Sequence, residues 1–594
     1  MLRLTELKLP LEHPDEALPA LIAKTLGVTL ADLQSFTVFK RSIDARKADL
    51  LRVYIVDLEI AAPTLGTGMS SLPPEGAVSP WGGPAAKPPP VTEAALLTKF
   101  AGNPHIFATP DMAYRPVAQA PADFGLRPVV IGFGPCGIFA ALVLAQMGFR
   151  PIVLERGKTV RERTQDTWGL WRRRELNPES NVQFGEGGAG TFSDGKLYSQ
   201  IKDPRHLGRK VMDEFVRAGA PPEILVEAHP HIGTFKLVKV VENLRRQIIA
   251  LGGEIRFQQR LTDVLVEDGP QGRQLRGLTV LNQASGQSYE LRAEQVVLAL
   301  GHSSRDTFAM LYERGVAMQA KPFSIGFRIE HPQSVIDRAR WGRHKGHPQL
   351  GAADYKLVHH ASNGRSVYSF CMCPGGTVVA ATSELGRVVT NGMSQYSRNE
   401  RNANAGIVVG IGPDDFPVDA ASFHAALGEQ VPAQITPGLT HHPLAGIVLQ
   451  RQLESNAYVL GGSNYNAPGQ LVGDFRAGRA STQLGGVEPS YKPGVLLCDL
   501  RAALPAYATD AMREALPAFG RKIKGFDMPD AVLTGIESRT SSPLKMPRGE
   551  DFQSSNTRGL YPAGEGAGYA GGILSAGVDG IRIAEALALS HVSR

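Results

Sequence analysis

The feature that most constrains this chain is the run Val129-Val-Ile-Gly-Phe-Gly-Pro-Cys-Gly-Ile138, where glycines stand at 132, 134 and 137 directly after an apolar strand. Gly132 permits the tight strand-to-helix turn, Gly134 lets backbone approach a diphosphate, and Gly137 lets the new helix pack on the strand. The helix opens at Pro135 and Cys136, so its first-turn amides and positive dipole end face the anion. The spacing predicts a parallel α/β unit built around a dinucleotide, without saying which one.

Neighbouring segments extend the pattern. The strand Pro151-Ile-Val-Leu-Glu-Arg-Gly157 ends in Glu155 and Arg156, where a ribose hydroxyl pair needs an acceptor; a solvated strand-end carboxylate is the alternative. The loop Phe184-Gly-Glu-Gly-Gly-Ala-Gly-Thr-Phe-Ser-Asp-Gly-Lys196 offers Gly187, Gly188, Gly190, Ser193 and Lys196, where backbone can pass close to a large flat ligand, against the alternative of a plain loop. Leu261-Thr-Asp-Val-Leu-Val-Glu267, with Val264 at its centre, and Gln295-Val-Val-Leu-Ala-Leu-Gly301 read as strands, the second buried and ending at Gly301. Near the end, Gly559-Leu-Tyr-Pro-Ala-Gly-Glu-Gly566 is a strand with an acidic glycine turn at Gly564 and Glu565, and a small-residue helix starts at Gly572 and Ile573.

The rest of the chain divides around this unit. Residues 1–62 read strand, helix, strand, strand, a small N-terminal α/β module of ferredoxin-like type. Residues 63–125 read as a linker and connecting segment, rich in Pro, Gly and Ser up to Lys87-Pro-Pro-Pro90. Residues 126–309 form the first part of a Rossmann-like nucleotide domain, 310–530 an inserted α+β domain that caps the substrate, and 531–594 the return to the nucleotide fold, beginning at Ala531-Val-Leu-Thr534.

Composition excludes several function classes. The chain has 594 residues, 63 basic and 57 acidic, for a net charge of +6 without a long single-sign block, so nucleic acid is not supported as a partner. Its four cysteines, 136, 371, 373 and 498, are too few and too scattered for a secreted disulfide framework. The N-terminus has no unbroken apolar core of the signal-peptide kind, and a cytoplasmic location is expected. The stretch 128–149 is apolar enough to imitate a membrane span, but Pro135 and the three glycines assign it to the nucleotide loop, and no membrane partner is expected. Metal-ligand spacing is absent from the sequence, so no metal is expected.

Taken together, the glycine fingerprint, the 184–196 loop, the strand ending at Gly301 and the 559–580 segment resemble the FAD domain of the glutathione-reductase-like flavoprotein superfamily. More narrowly, 181–197, His229-Pro-His-Ile-Gly-Thr234, Phe370-Cys-Met-Cys-Pro-Gly-Gly376 and Glu537-Ser-Arg-Thr-Ser-Ser-Pro543 are similar to a bacterial family of uncharacterised FAD-dependent dehydrogenases with a small N-terminal domain. The resemblance implies FAD as cofactor, with Glu565 in the position that usually holds an aspartate contacting the ribityl chain. It also implies that the helix starting near Gly571 points its N-terminus at the flavin pyrimidine edge, favouring the charge that develops on reduction.

Candidates beyond the flavin are weaker. Cys371 and Cys373 lie two apart in an expected strand and would share one face, as substrate-facing thiols or a redox pair require; packing is the alternative. His229, His231 and Lys236 are candidates for an anionic substrate or the flavin phosphates, with a hydrogen-bonded structural role as the alternative. Arg539 is a candidate for the flavin or a substrate carboxylate, against a salt-bridged turn. The expected function is a dehydrogenase that moves a hydride or two electrons between an unidentified small molecule or NAD(P)H and an acceptor. A second nicotinamide fingerprint is missing, so NAD(P)H is expected to bind transiently. The alternatives are a non-catalytic FAD module whose Lys40, Arg41, Arg46 and Lys47 engage RNA or a protein, and a flavin-dependent modifier of a macromolecule working through Cys371 and Cys373.

Overall fold

A computed structural model describes residues 1–61, 91–270, 272–428 and 441–592. The chain forms two compact units, Met1–Ala113 with Leu225–Pro230, and Tyr114–Ile224 with His231–Arg594.

In the first unit the strand Leu2–Pro10 is followed by the helix Ala17–Leu26 and the strands Leu33–Asp44 and Leu51–Ile60, as the alternation in 52–59 anticipates. The unit runs further than residue 62. The helix Glu93–Lys99 and the strand Ile106–Ala108 belong to it, because Leu2, Arg3 and Leu4 pair antiparallel with Ala108, Phe107 and Ile106, and Leu96 and Ile106 fill the same core as Leu4, Ile22 and Val56. The sheet order is Leu33–Asp44, Leu51–Ile60, Leu2–Pro10, Ile106–Ala108. Residues 62–90, which carry the Pro-, Gly- and Ser-rich part of the expected linker, lie outside the described residues. Two of the four basic residues weighed for RNA are neutralised inside the unit, Arg41 by Glu227 at 2.6 Å and Arg46 by Asp44 at 2.5 Å.

The second unit is built on a five-stranded parallel sheet in the order Leu560–Pro562, Val296–Leu298, Val129–Ile131, Ile152–Glu155, Glu254–Phe257. The helix Pro135–Gln146 is buried from Cys136 to Ala145, which accounts for its being apolar all round: protein, rather than lipid, surrounds it. Among the described residues no helix is long and apolar enough to cross a membrane. Its neighbour is the last helix, Ile573–Val592, and the two approach so closely that a Cβ on Gly580 would sit 2.3 Å from the Cys136 carbonyl oxygen.

Between the strands Val296–Leu298 and Leu560–Pro562 the chain builds a seven-stranded sheet in the order Leu357–His360, Ser366–Cys373, Asn402–Ile411, Phe323–Pro332, Val532–Glu537, Ala467–Leu471, Val495–Leu497. Here the structure corrects the expected return at 531. Val532–Glu537 is a strand of this sheet, buried along its length and antiparallel to Phe323–Pro332. The chain crosses back only after it, where Leu544–Lys545 pairs with Gln319–Ala320. A continuous apolar core joins the two sheets, from Val129 and Leu298 to Ile325, Ile407 and Leu533.

Candidate functional site

The fingerprint glycines take up the conformations their spacing implies. Gly132 has φ of 96°, and a Cβ there would lie 2.3 Å from the Ala299 carbonyl oxygen. One on Gly137 would lie 1.9 Å from the Gly132 carbonyl oxygen. Gly134 caps the helix with an extended backbone, and Pro135 opens it, the position where proline's missing N–H costs nothing. Gly134 differs from the other two, because its Cβ would meet nothing closer than 3.6 Å. That neighbour is the Gly188 Cα, at an ordinary contact distance.

Glu155 ends its strand as expected, but its carboxylate is occupied by backbone. Oε2 accepts from the Phe133 amide at 2.8 Å, and Oε1 from the Gly157 and Gly185 amides at 2.8 and 3.0 Å. Glu155 thus ties the fingerprint turn to the glycine loop, and Oε2, which can accept twice, keeps one lone pair for a hydroxyl. Gly187 and Gly188 both have positive φ, and a Cβ on Gly188 would lie 2.8 Å from the Gly134 Cα, so loop and fingerprint meet backbone to backbone. Gly190 packs against Ile573, and the Ser193 hydroxyl donates to the Gly190 carbonyl at 2.7 Å. Gly301 also has positive φ, and a Cβ on Gly566 would come within 2.3 Å of its carbonyl oxygen. The Gly564 amide donates to Asp579 at 2.8 Å, and Asp579 is in turn held by Arg548 at 2.6 Å. Cys136, under Gly564, is buried, and that burial raises its thiol pKa. Glu565 lies 3.6 Å from His302.

The C-terminal ends of three adjacent parallel strands therefore carry the turns Gly132–Gly134, Gly301 and Gly564–Glu565 to one edge of the sheet, where open α/β sheets bind ligands. Beside them, at the start of the last helix, is a cavity of about 410 Å³ lined by Tyr198, Ile201, Tyr569, Gly571, Gly572 and Ser575. Around a Cβ on Gly301, Gly571 or Gly572 nothing stands within 4 Å. Thr191 Oγ1, next to Gly187, is buried without a hydrogen-bond partner. Open glycine backbone and an orphaned hydroxyl fit a dinucleotide along this edge.

A residue that sequence reasoning missed holds the loop in shape. Arg163 is fully buried, and its guanidinium donates to the carbonyls of Asn181, Val182, Gly185, Glu186 and Gly188. Burial brings its pKa down to about 10. In the sequence it is one charge among many on the helix Val160–Arg173, so nothing local marks it.

Several expected site residues are committed elsewhere. Arg156 pairs with Glu179 and Asp306, each at 2.9 Å, and lies over Phe184. Val264 is buried in a separate three-stranded sheet, its amide taken by Asp263 at 2.8 Å. Arg539 spends its fork on Glu454 and donates to Ser303 and Ser383, the salt-bridged alternative. Cys371 and Cys373 do not share a face. The pairing register shifts between Phe370 and Cys373, and Cys371 has φ of 49°, so Cys371 is exposed while Cys373 is buried. Burial of Cys373 raises its thiol pKa. Lys196 donates to the Met372 carbonyl between them. His231 stacks on Tyr396, and its Nε2 lies 2.9 Å from the Tyr396 carbonyl; Lys236 lies over the same ring. Burial lowers the His231 pKa. His229 falls in the 225–230 segment of the first unit.

Residues 322–540 match a family described as FAD-dependent protein, C-terminal domain-like, and residues 1–59 match a domain of unknown function. An uncharacterised protein of Clostridium beijerinckii is 43% identical over 592 residues, covering 98% of each chain. Solved structures that resemble this one include a flavin-dependent brominase, at 12% identity over 79% of this chain and 80% of that one with a TM-score of 0.33. Another is a 3-ketosteroid-delta4-(5alpha)-dehydrogenase from Rhodococcus jostii, at 13% identity over 79% and 97% with a TM-score of 0.32. The cofactor of this chain is FAD, and the chain belongs to the same family as the Clostridium beijerinckii protein.

Proposed function

We propose that the chain is an FAD-dependent oxidoreductase of dehydrogenase type, moving a hydride or an electron pair between a small organic substrate or transiently bound NAD(P)H and an acceptor. The observation that carries this reading is the convergence of Gly134, Gly301 and Gly564–Glu565 beside an open cavity at the N-terminus of Ile573–Val592. Bound FAD supplies two-electron redox chemistry there. In this reading the first-turn amides of Pro135–Gln146 hold the diphosphate, the spare lone pair of Glu155 takes a ribose hydroxyl, and Glu565 takes the ribityl chain. The amide end of the last helix stabilises negative charge on the pyrimidine edge. Tyr198 and Tyr569 wall the cavity, and partial burial raises the Tyr198 pKa.

The fold supports a Rossmann-like domain interrupted by the seven-stranded sheet, a reading in keeping with the glutathione-reductase-like superfamily. The strand and helix order of the first unit supports a ferredoxin-like module. Anaerobic stopped-flow mixing of the yellow protein with NADH, NADPH and metabolite pools tests the function: bleaching of the flavin by at least one donor is expected, and a flavin that no donor reduces overturns it.

A further inference from the structure

One buried ion network is left short of negative charge. Glu384 is shared by Arg305 at 3.2 Å, Arg451 at 2.9 Å and Arg387. Glu454 is shared by Arg305 at 2.5 Å and Arg539 at 2.8 Å. Four guanidinium groups thus face two carboxylates, an excess of two positive charges among the described residues. Gln450, Ser303 and Ser383 satisfy individual donors but bring no charge. A nearby network makes the contrast: Arg156 and Arg260 face Glu179 and Asp306, two against two.

Uncompensated charge in a low-dielectric interior is costly, so it persists where something balances it. Two donors of the arginine-rich network await an acceptor, since Arg305 Nε and Arg387 Nε are buried with no hydrogen-bond partner. Burial, with a smaller contribution from the like charges of Arg451 and Arg305, lowers the Arg387 pKa. The Arg387 side chain itself is 19% exposed, and the turn before it lies at the surface. Leu385 is 66% exposed, and beside Gly386, with φ of 66°, there is open space.

We propose that Arg387, with Arg305 and Arg451 behind it, forms an anion site for a phosphate-type dianion, either free or carried as a phosphomonoester. Two negative charges match the excess, and the planar guanidinium fork matches the oxyanion edge. The site is distinct from the cavity at the last helix, and its existence does not depend on the redox reaction.

Isothermal titration calorimetry on the FAD-loaded protein tests it, with inorganic phosphate, glycerol 3-phosphate and acetate as probes. Saturable binding of phosphate or glycerol 3-phosphate is expected, with acetate silent. Tighter binding of the ester would identify a phosphorylated small molecule as the source, and tighter binding of phosphate the free ion. Arg387→Gln should weaken binding about tenfold or more, the loss of one charge-assisted hydrogen-bond pair. In phosphate-free buffer it should melt no lower than the parent, since it removes an unbalanced charge. Arg387→Lys should recover part of the binding. A yellow, folded protein that binds neither phosphate probe overturns the proposal, as does Arg387→Gln melting well below the parent while binding phosphate equally. A colourless preparation speaks instead against the cofactor assignment.

Discussion

The fingerprint glycines make a prediction that separates folding from cofactor binding. Gly134 has φ of −81°, which alanine adopts freely, and a Cβ there would meet the Gly188 Cα at 3.6 Å, an ordinary contact. In Gly134→Ala the gain from a stiffer unfolded chain opposes the loss of a glycine N-cap, so the FAD-free protein should unfold within about 1 kcal/mol of the parent. The methyl group would instead occupy the space where backbone must approach the diphosphate. Overpacking of that kind costs about 1–3 kcal/mol, and FAD should bind about 5- to 150-fold more weakly. Gly137→Ala is the contrast: a Cβ at 1.9 Å from the Gly132 carbonyl oxygen forces helix and strand apart, so the FAD-free protein itself is destabilised. Urea unfolding of the stripped proteins gives the first quantity, and quenching of FAD fluorescence on titration gives the second. Parent-like FAD affinity in Gly134→Ala, or unfolding of that variant together with Gly137→Ala, would refute the reasoning.

Three further outcomes are expected. Glu454→Ala leaves the buried Arg539 without an ion-pair partner and Arg305 with Glu384 alone, so it should lose about 3–5 kcal/mol in urea unfolding; a parent-like midpoint would contradict the network. His331 and His442 are both held down to about 4 by burial. His331 Nε2 faces the Phe526 carbonyl at 2.6 Å, and His442 Nδ1 accepts from the Leu444 amide. The unfolded chain therefore binds more protons than the folded one between about pH 6.5 and 4, and stability should fall as pH drops through that window, by up to about 3 kcal/mol per histidine; a flat pH series of unfolding midpoints would count against it. With iodoacetamide, the exposed Cys371 should be labelled ahead of the buried Cys136 and Cys373, at a rate that rises with pH because only the thiolate reacts. First labelling at Cys373 would show that the bulge is misplaced.

What could be read from the sequence follows from how far each requirement reaches along the chain. Gly132 and Gly137 were legible because a turn and a helix packed on its own strand are local demands on the backbone. Glu155 was legible as a strand-end acid, but its hold on Gly185 was not, since that pairing spans the glycine loop. Strict alternation put Cys371 and Cys373 on one face, and a bulge, which no periodicity announces, separated them. The strand Val532–Glu537 is apolar enough for either sheet, and only its antiparallel pairing with Phe323–Pro332 decides between them. Ile106–Ala108 is too short to show a period. Arg539 finds Glu454 85 residues away, and Arg163 acts through carbonyls that every residue carries, so neither leaves a pattern.

Electron density for the FAD-loaded protein tests the central claim most directly. The account predicts the diphosphate at the N-terminus of Pro135–Gln146, a ribose hydroxyl on Glu155, and the flavin ring against Gly571 and Gly572. FAD lying elsewhere, with the ends of the three strands bare, would contradict it.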